Sequence, residues 1–321
     1  LLPFGPVVLI DTAGLDDVGE LGKLRVEASL KVMKKTDLAL VVIEPGNGLH
    51  AAEKDLLASL KKQKIPVILV VNKCETAEIG QTLRHEIAVF GIEPVLVSAK
   101  TGQGINDLRA EKMQQGLKGF DTGVIVGDLI EPGQVVVLVT PIDISAPRGR
   151  LILPQVQTIR DLLDADAVTI VVKETELKQA IAVLKEPPAL VVTDSQVFFK
   201  VAADLPSGIP FTSFSVLFAR YKGDLAAYVA GVAALHEKGA AARILIAESC
   251  THHQMEDDIG RVKIPMWVRK KYGDTVKFDF CQGINFPTDL ADYDLVVQCG
   301  GCMTNRRDIM ARIEACHAVG V

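Results

Sequence analysis

Short apolar runs alternate with longer stretches of helical period along most of this chain. In the first third, Val7–Ile10, Leu38–Ile43, Val67–Val71 and Val95–Val97 are valine- and isoleucine-rich runs of strand length. Between them, Val26–Lys35, Glu53–Lys62 and Thr82–Phe90 repeat apolar positions at three- and four-residue spacing. Continuous apolar strands separated by amphipathic helices predict a mostly parallel sheet covered on both faces. The segment Ala110–Thr122 lacks a period, holds Gly116 and Gly119, and reads as a linker.

The alternation then resumes twice. Strands are expected at Val135–Thr140, Ala167–Val172, Ala189–Thr193 and Phe211–Leu217, with helices at Pro154–Ala165, Thr175–Lys185 and Ser195–Ala203. A third set follows: helix Lys222–Lys238, strands Arg243–Ala247, Lys277–Phe280 and Tyr293–Gln298, and helix Arg306–Ala318. The fold class is therefore α/β, as three successive units with mostly parallel sheets, divided at 1–119, 120–212 and 213–321. The middle unit has no glycine-rich phosphate loop and no cluster of catalytic residue types, which leaves scaffolding or self-association as its role.

Composition narrows the function. The chain has 321 residues, 49% hydrophobic and 23% charged, which excludes a disordered polymer. Its net charge of -5, without a long basic block, argues against a nucleic-acid partner. No apolar run approaches the roughly 18 residues of a membrane span, and no basic start with an apolar centre suggests a signal peptide, so neither membrane nor secretion is expected and the location reads as cytoplasmic. Six cysteines are too few for a disulfide scaffold and point to metal or redox chemistry.

Two groups of residues carry chemistry. Asp11-Thr12-Ala13-Gly14, Asn72-Lys73-Cys74-Glu75 and Ser98-Ala99-Lys100 each follow an expected strand. In a guanine-nucleotide site, a carboxylate at Asp11 holds Mg²⁺ and the Gly14 amide meets the γ-phosphate. Asn72 and Lys73 frame the base, Glu75 accepts its N–H groups, and the Ser98-Ala99-Lys100 backbone meets its carbonyl. Glu75 is one methylene longer than the usual aspartate, which predicts weaker or less selective guanine binding. Leu15–Gly22 has the place of a mobile switch.

The second group is Cys250-Thr251-His252 with Cys299-Gly300-Gly301-Cys302. Cys250 and Cys299 each stand just past an expected strand end, where α/β sheets bind ligands. Two readings stay open on spacing. Three thiolates suit a [4Fe–4S] cluster with one exchangeable iron position. Cys250, His252, Cys299 and Cys302 equally suit a zinc tetrahedron. Cys281 is a weaker candidate ligand and more plainly a small core residue. Cys316 shares a helical face with Ile309 and Ile313 and belongs to the core. A thiol-redox pair at Cys299 and Cys302 is a further possibility that does not require Cys250.

The first unit resembles GTPases of the TrmE–Era type over about residues 1–110. It departs from them in one respect: the sequence contains no Gly-x-x-x-x-Gly-Lys-Ser/Thr phosphate loop. The expectation is a chain that starts after that loop and, as written, hydrolyses GTP hardly at all. Taken whole, the motifs above with Asp258–Pro265 resemble the [FeFe]-hydrogenase maturation GTPases of the HydF family. Gln298 stands where many members have histidine.

The resemblance implies a GTPase domain, a dimerisation domain and a cluster-binding domain. It implies a [4Fe–4S] cluster on Cys250, Cys299 and Cys302, with His252 or a nearby acid as the fourth ligand. GTP and Mg²⁺ would bind the complete protein, and a di-iron precursor would be its cargo, received from radical-SAM maturases and passed to apo-[FeFe]-hydrogenase. It also implies a homodimer and a carboxyl-terminal part beyond Val321. The competing reading is a zinc-containing TrmE/Era-type GTPase acting on RNA or ribosomes.

Overall fold

The computed structural model describes residues 7–12, 32–33, 35–46, 48–119, 123–142, 149–249, 258–283 and 285–321. They form two compact units, divided between Thr122 and Gly123.

The first unit holds strands β1 (Ala39–Ile43), β2 (Val67–Val71) and β3 (Val95–Leu96), with helices α1 (Ala51–Lys62), α2 (Gln81–Phe90) and α3 (Ile105–Gly119). The sheet is parallel, in the order β1-β2-β3. Leu69 and Val71 face a core with Leu57, Leu60, Leu83 and Ile87 of α1 and α2, while Ile68 and Val70 face Val97, Ile105 and Leu108. Alternate residues of β2 thus bury opposite faces, as its unbroken apolar run requires.

Three expectations change here. Val7–Ile10 is not a strand: Val8 is 83% and Leu9 74% exposed. An apolar run becomes a strand only where a neighbouring edge takes its backbone hydrogen bonds, and none does among the described residues. The expected linker from Ala110 is helix up to Gly119. Of Val26–Lys35, only Val32 and Met33 are described as helix; most of the rest lies outside the described residues.

The second unit contains two parallel sheets. The first is ordered β5-β4-β6-β7, from β4 (Val135–Val139), β5 (Val168–Val172), β6 (Leu190–Thr193) and β7 (Phe211–Ser213). Its helices are α4 (Leu153–Asp164), α5 (Leu177–Ala182), α6 (Phe198–Asp204) and α7 (Phe214–Lys222). Val136, Leu138 and Val192 pack on Leu162 of α4 and on Phe214, Leu217 and Phe218 of α7. Val137, Val139 and Val191 pack on Leu177 and Val201. The run Phe211–Leu217, expected as one strand, breaks at Ser213. That hydroxyl accepts from the Val216 N–H and caps α7. α7 closes the core of the middle sheet, so this layer runs past residue 212.

The last sheet is ordered β10-β8-β9, from β8 (Arg243–Glu248), β9 (Lys277–Gln282) and β10 (Leu295–Gln298). Helices α8 (Leu225–Lys238), α9 (Ile264–Tyr272) and α10 (Arg306–His317) accompany it. Ile244 and Ile246 face Leu235, Ile264 and Val268; Leu245 faces Leu290 and Cys316. α9 follows a π-helical turn at Ile259–Lys263, capped by Asp258. No helix among the described residues is long and apolar enough to cross a membrane.

Candidate functional site: a thiol loop and a loop pair at a sheet end

In the first unit, β2 and β3 deliver two loops to one sheet end. The Asn72 N–H donates to Ile43 O and the Cys74 N–H to Val97 O, which fixes the turn after β2 on both sides. Asn72 Oδ1 accepts from the Ala99 N–H at 3.0 Å and so joins the two loops. The buried Ser98 hydroxyl bonds to the Glu75 carboxylate, and this contact chiefly holds Glu75 below its usual 4.5, with Lys100 and Lys73 acting in the same direction. Ser98 Oγ also accepts from Thr101 N–H. Lys73 adopts a left-handed backbone and pairs with Glu44. Asn72, Lys73, Glu75, Ser98, Ala99 and Lys100 are therefore gathered around an ionised, exposed carboxylate that can accept two N–H groups from a base. Asp11 is exposed and lies in no helix or strand, and Gly14 lies outside the described residues.

In the second unit, β8 is flanked by both its partners, and the loops after β8 and β10 leave the same end of the sheet. Ala247 stands opposite Gln298 on one side and Cys281 on the other. Cys299 is the first residue past β10. Its N–H donates to Ala247 O at 3.0 Å, and its Sγ accepts from the Ser249 N–H at 3.1 Å. Gln298 Nε2 donates to Ser249 Oγ at 2.7 Å and stands 3.6 Å from Cys299 Sγ, while its Oε1 accepts from Arg312. Gln298 thus supplies an N–H donor beside the sulfur.

The two glycines that follow are dictated by space. A Cβ on Gly300 would lie 2.5 Å from Ser215 O of α7. Gly301 has φ +63°, and its Cβ would lie 2.7 Å from Ile309 Cδ1. Only a chain without side chains passes here. Cys302 then packs against the core of the middle sheet.

Sequence reasoning missed two groups at this loop. Lys222, the last residue of α7, donates to Gly301 O at 2.8 Å, Cys302 O at 3.0 Å and Thr304 O at 2.6 Å. Burial pushes its ammonium down to about 8, against the thiols of Cys302 and Cys299, which favour the charge. The Tyr228 hydroxyl of α8 is buried, has no hydrogen-bond partner among the described residues, and is pushed up to about 12 by burial and then by Cys299. The signal for Lys222 was a lysine one turn after Phe218 on an apolar helix face.

Cys250, His252 and His253 lie outside the described residues, although Cys250 follows β8 by two positions. Among the described residues, no group of three or more His, Cys, Asp or Glu is placed to hold a metal. Cys281 packs with Leu245, Leu290 and Cys316, and burial pushes both thiols up. Glu248, buried at the end of β8, pairs with Arg261. His236 meets the Tyr272 hydroxyl.

The loops of the first unit, together with the two further parallel α/β layers later in the chain, define a GTPase-related protein of several domains. Comparison with known families agrees. Residues 3–73 match a 50S ribosome-binding GTPase model, 125–223 a hydrogen maturase F dimerization domain and 226–321 a hydrogen maturase F tetramerization domain. The two maturase models take in more than half of the chain, which belongs to the hydrogen maturase F family. Both domain types support a homo-oligomer. The boundary between them falls at Gly223–Leu225, between α7 and α8.

Curated relatives are GTPases matched over part of the chain. GTPase Der of Synechococcus sp. (strain RCC307) is 41% identical over 104 residues, 31% of this chain and 23% of the relative. GTPase Der of Synechococcus sp. (strain CC9902) is 31% identical over 172 residues, 50% and 37% of the two chains. GTPase Der of Allorhizobium ampelinum (strain ATCC BAA-846 / DSM 112012 / S4) is 36% identical over 105 residues, 32% and 22%. The chain therefore spans well under half the length of these relatives.

Proposed function

We propose that this chain is the scaffold part of a GTP-regulated hydrogenase maturase, carrying a [4Fe–4S] cluster on Cys250, Cys299 and Cys302. The observation that carries this reading is the Cys299–Cys302 loop itself. Its first sulfur receives N–H donors, its glycines leave no Cβ between the thiols, and a buried cation stands behind it. The neighbouring strand β8 leads directly toward Cys250. This donor set fits an iron–sulfur cluster, whose potential and charge are set by hydrogen bonds to sulfur and by nearby charge. When bound, such a cluster supplies an iron position that can exchange its fourth ligand; His252 or a nearby acid is the candidate there.

In this reading the complete protein binds GTP and Mg²⁺. The nucleotide state biases transfer of a di-iron precursor, from radical-SAM maturases to apo-[FeFe]-hydrogenase, through differential affinity for two conformations. Asn72, Lys73, Glu75 and the Ser98–Lys100 loop read the base. Without a phosphate loop in its sequence, the chain as given releases no phosphate from GTP above the level without protein. The ribosome-binding description attaches to the first-unit model alone; the two maturase domains favour hydrogenase assembly.

The test is anaerobic reconstitution of the chain and of Cys250→Ala, Cys299→Ala and Cys302→Ala, followed by iron analysis and electron paramagnetic resonance of the reduced protein. The parent should take up about four irons per chain, and each variant should lose most of them and change the spectrum. Full iron content in all three variants would overturn the assignment.

A further inference from the structure

The thiol loop belongs to the last domain, but the cation behind it belongs to the middle one. α7 commits Phe214, Leu217 and Phe218 to the middle core. Lys222 lies one turn beyond Phe218, is 7% exposed, and has its Nζ 5.1 Å from the Phe218 ring centroid. A buried lysine is costly, and a methionine of similar length would fill the same space without that cost. No carboxylate pairs with Lys222 among the described residues. Its three acceptors, the carbonyls of Gly301, Cys302 and Thr304, all come from the one loop that bears the thiols. Gly300 rests on the Ser215 carbonyl at the start of the same helix. Arg306 adds a second tie, from Nη1 to Tyr221 O and Gly223 O.

We propose that Lys222 is a positioning residue: the dimerization domain uses its ammonium to hold the Cys299–Cys302 loop in one shape. A shift of α7 against the last domain then changes the presentation of the thiols. This supplies a route by which rearrangement of the dimerization domain reaches the metal site. The loop-shaping role stands on the hydrogen bonds alone; its use in metal binding rests on the function proposed above.

The test uses the full chain, reduced and metal-free, with Lys222→Met and Lys222→Arg. Peptide-resolved mass spectrometry follows iodoacetamide modification of Cys299, Cys302 and Cys74. Lys222→Met should raise the Cys302 rate by about tenfold or more, as loss of charged hydrogen bonds implies, and leave Cys74 unchanged. Lys222→Arg, which keeps the charge and the donors, should restore most of the protection. Cobalt(II) binding, read from thiolate-to-metal absorption, should weaken in the same order.

A Cys302 rate in Lys222→Met equal to that of the parent overturns the proposal, as does an arginine variant as fast as the methionine one. If Lys222→Met does not melt cooperatively, Lys222→Gln replaces it under the same criteria. Failure of the metal reading shows separately, as iron retained by the cysteine variants.

Discussion

Gly301→Ala tests the built shape of the thiol loop without touching a sulfur. At φ +63° an alanine pays roughly 1–2 kcal/mol for the left-handed backbone. Its Cβ would also lie 2.7 Å from Ile309 Cδ1. Ile309 is buried in α10 and has no solvent to retreat into, so overpacking adds about 1–3 kcal/mol. The expected loss is about 3 kcal/mol. Gly208→Ala is the control: its φ is +94° and nothing lies within 4 Å of the added Cβ, so it pays backbone strain alone, about 1–2 kcal/mol. Urea unfolding followed by fluorescence of the single tryptophan, Trp267 in α9, measures both. The reasoning fails if the two variants lose equal stability, or if Gly301→Ala loses less than about 1 kcal/mol.

Two further predictions follow from groups away from the thiol loop. The Asp161 carboxylate accepts the N–H groups of Ile125, Val126 and Gly127 at 3.1, 2.8 and 2.8 Å. Asp161→Ala should therefore cost about 3 kcal/mol or more in the same urea assay, and Asp161→Asn less. Burial raises Cys281 and Cys316 above the ordinary thiol value of 9.0, so both stay protonated at pH 8. Mass spectrometry of iodoacetamide-treated native protein should find both modified more slowly than Cys74, with rates that climb as pH rises toward 10, where the thiolate form grows. Equal rates at pH 8 would contradict the packing of Cys281 and Cys316 in the core of the last sheet.

Most of the architecture was legible because its strands are buried on both faces. Runs such as Val135–Val139 are apolar throughout and Leu190–Thr193 nearly so, which a covered parallel sheet explains. The reading failed where an apolar run lacked the contact that decides its state. Val7–Ile10 has strand composition but no ladder partner among the described residues. Phe211–Leu217 mixes apolar and hydroxyl residues, and the Ser213 cap turns its second half into α7. α3 has little apolar period, so its helix past Ala110 was invisible to a pattern argument. At the candidate site, the thiols and glycines announced themselves by type and spacing. Lys222 and Tyr228 did not: Lys222 acts where a helix of one domain meets a loop of the next, and Tyr228 where a helix packs on a loop about 70 residues further along the chain. Cys250 was legible by the same type and spacing, and it lies outside the described residues.

Native mass spectrometry of the anaerobically reconstituted chain addresses the central claim most directly, since it weighs whatever the thiols hold. The account predicts one added mass per chain corresponding to four irons and four sulfides, absent from Cys302→Ala. A chain that carries a single zinc, or nothing, under conditions that load a control iron–sulfur protein would contradict it.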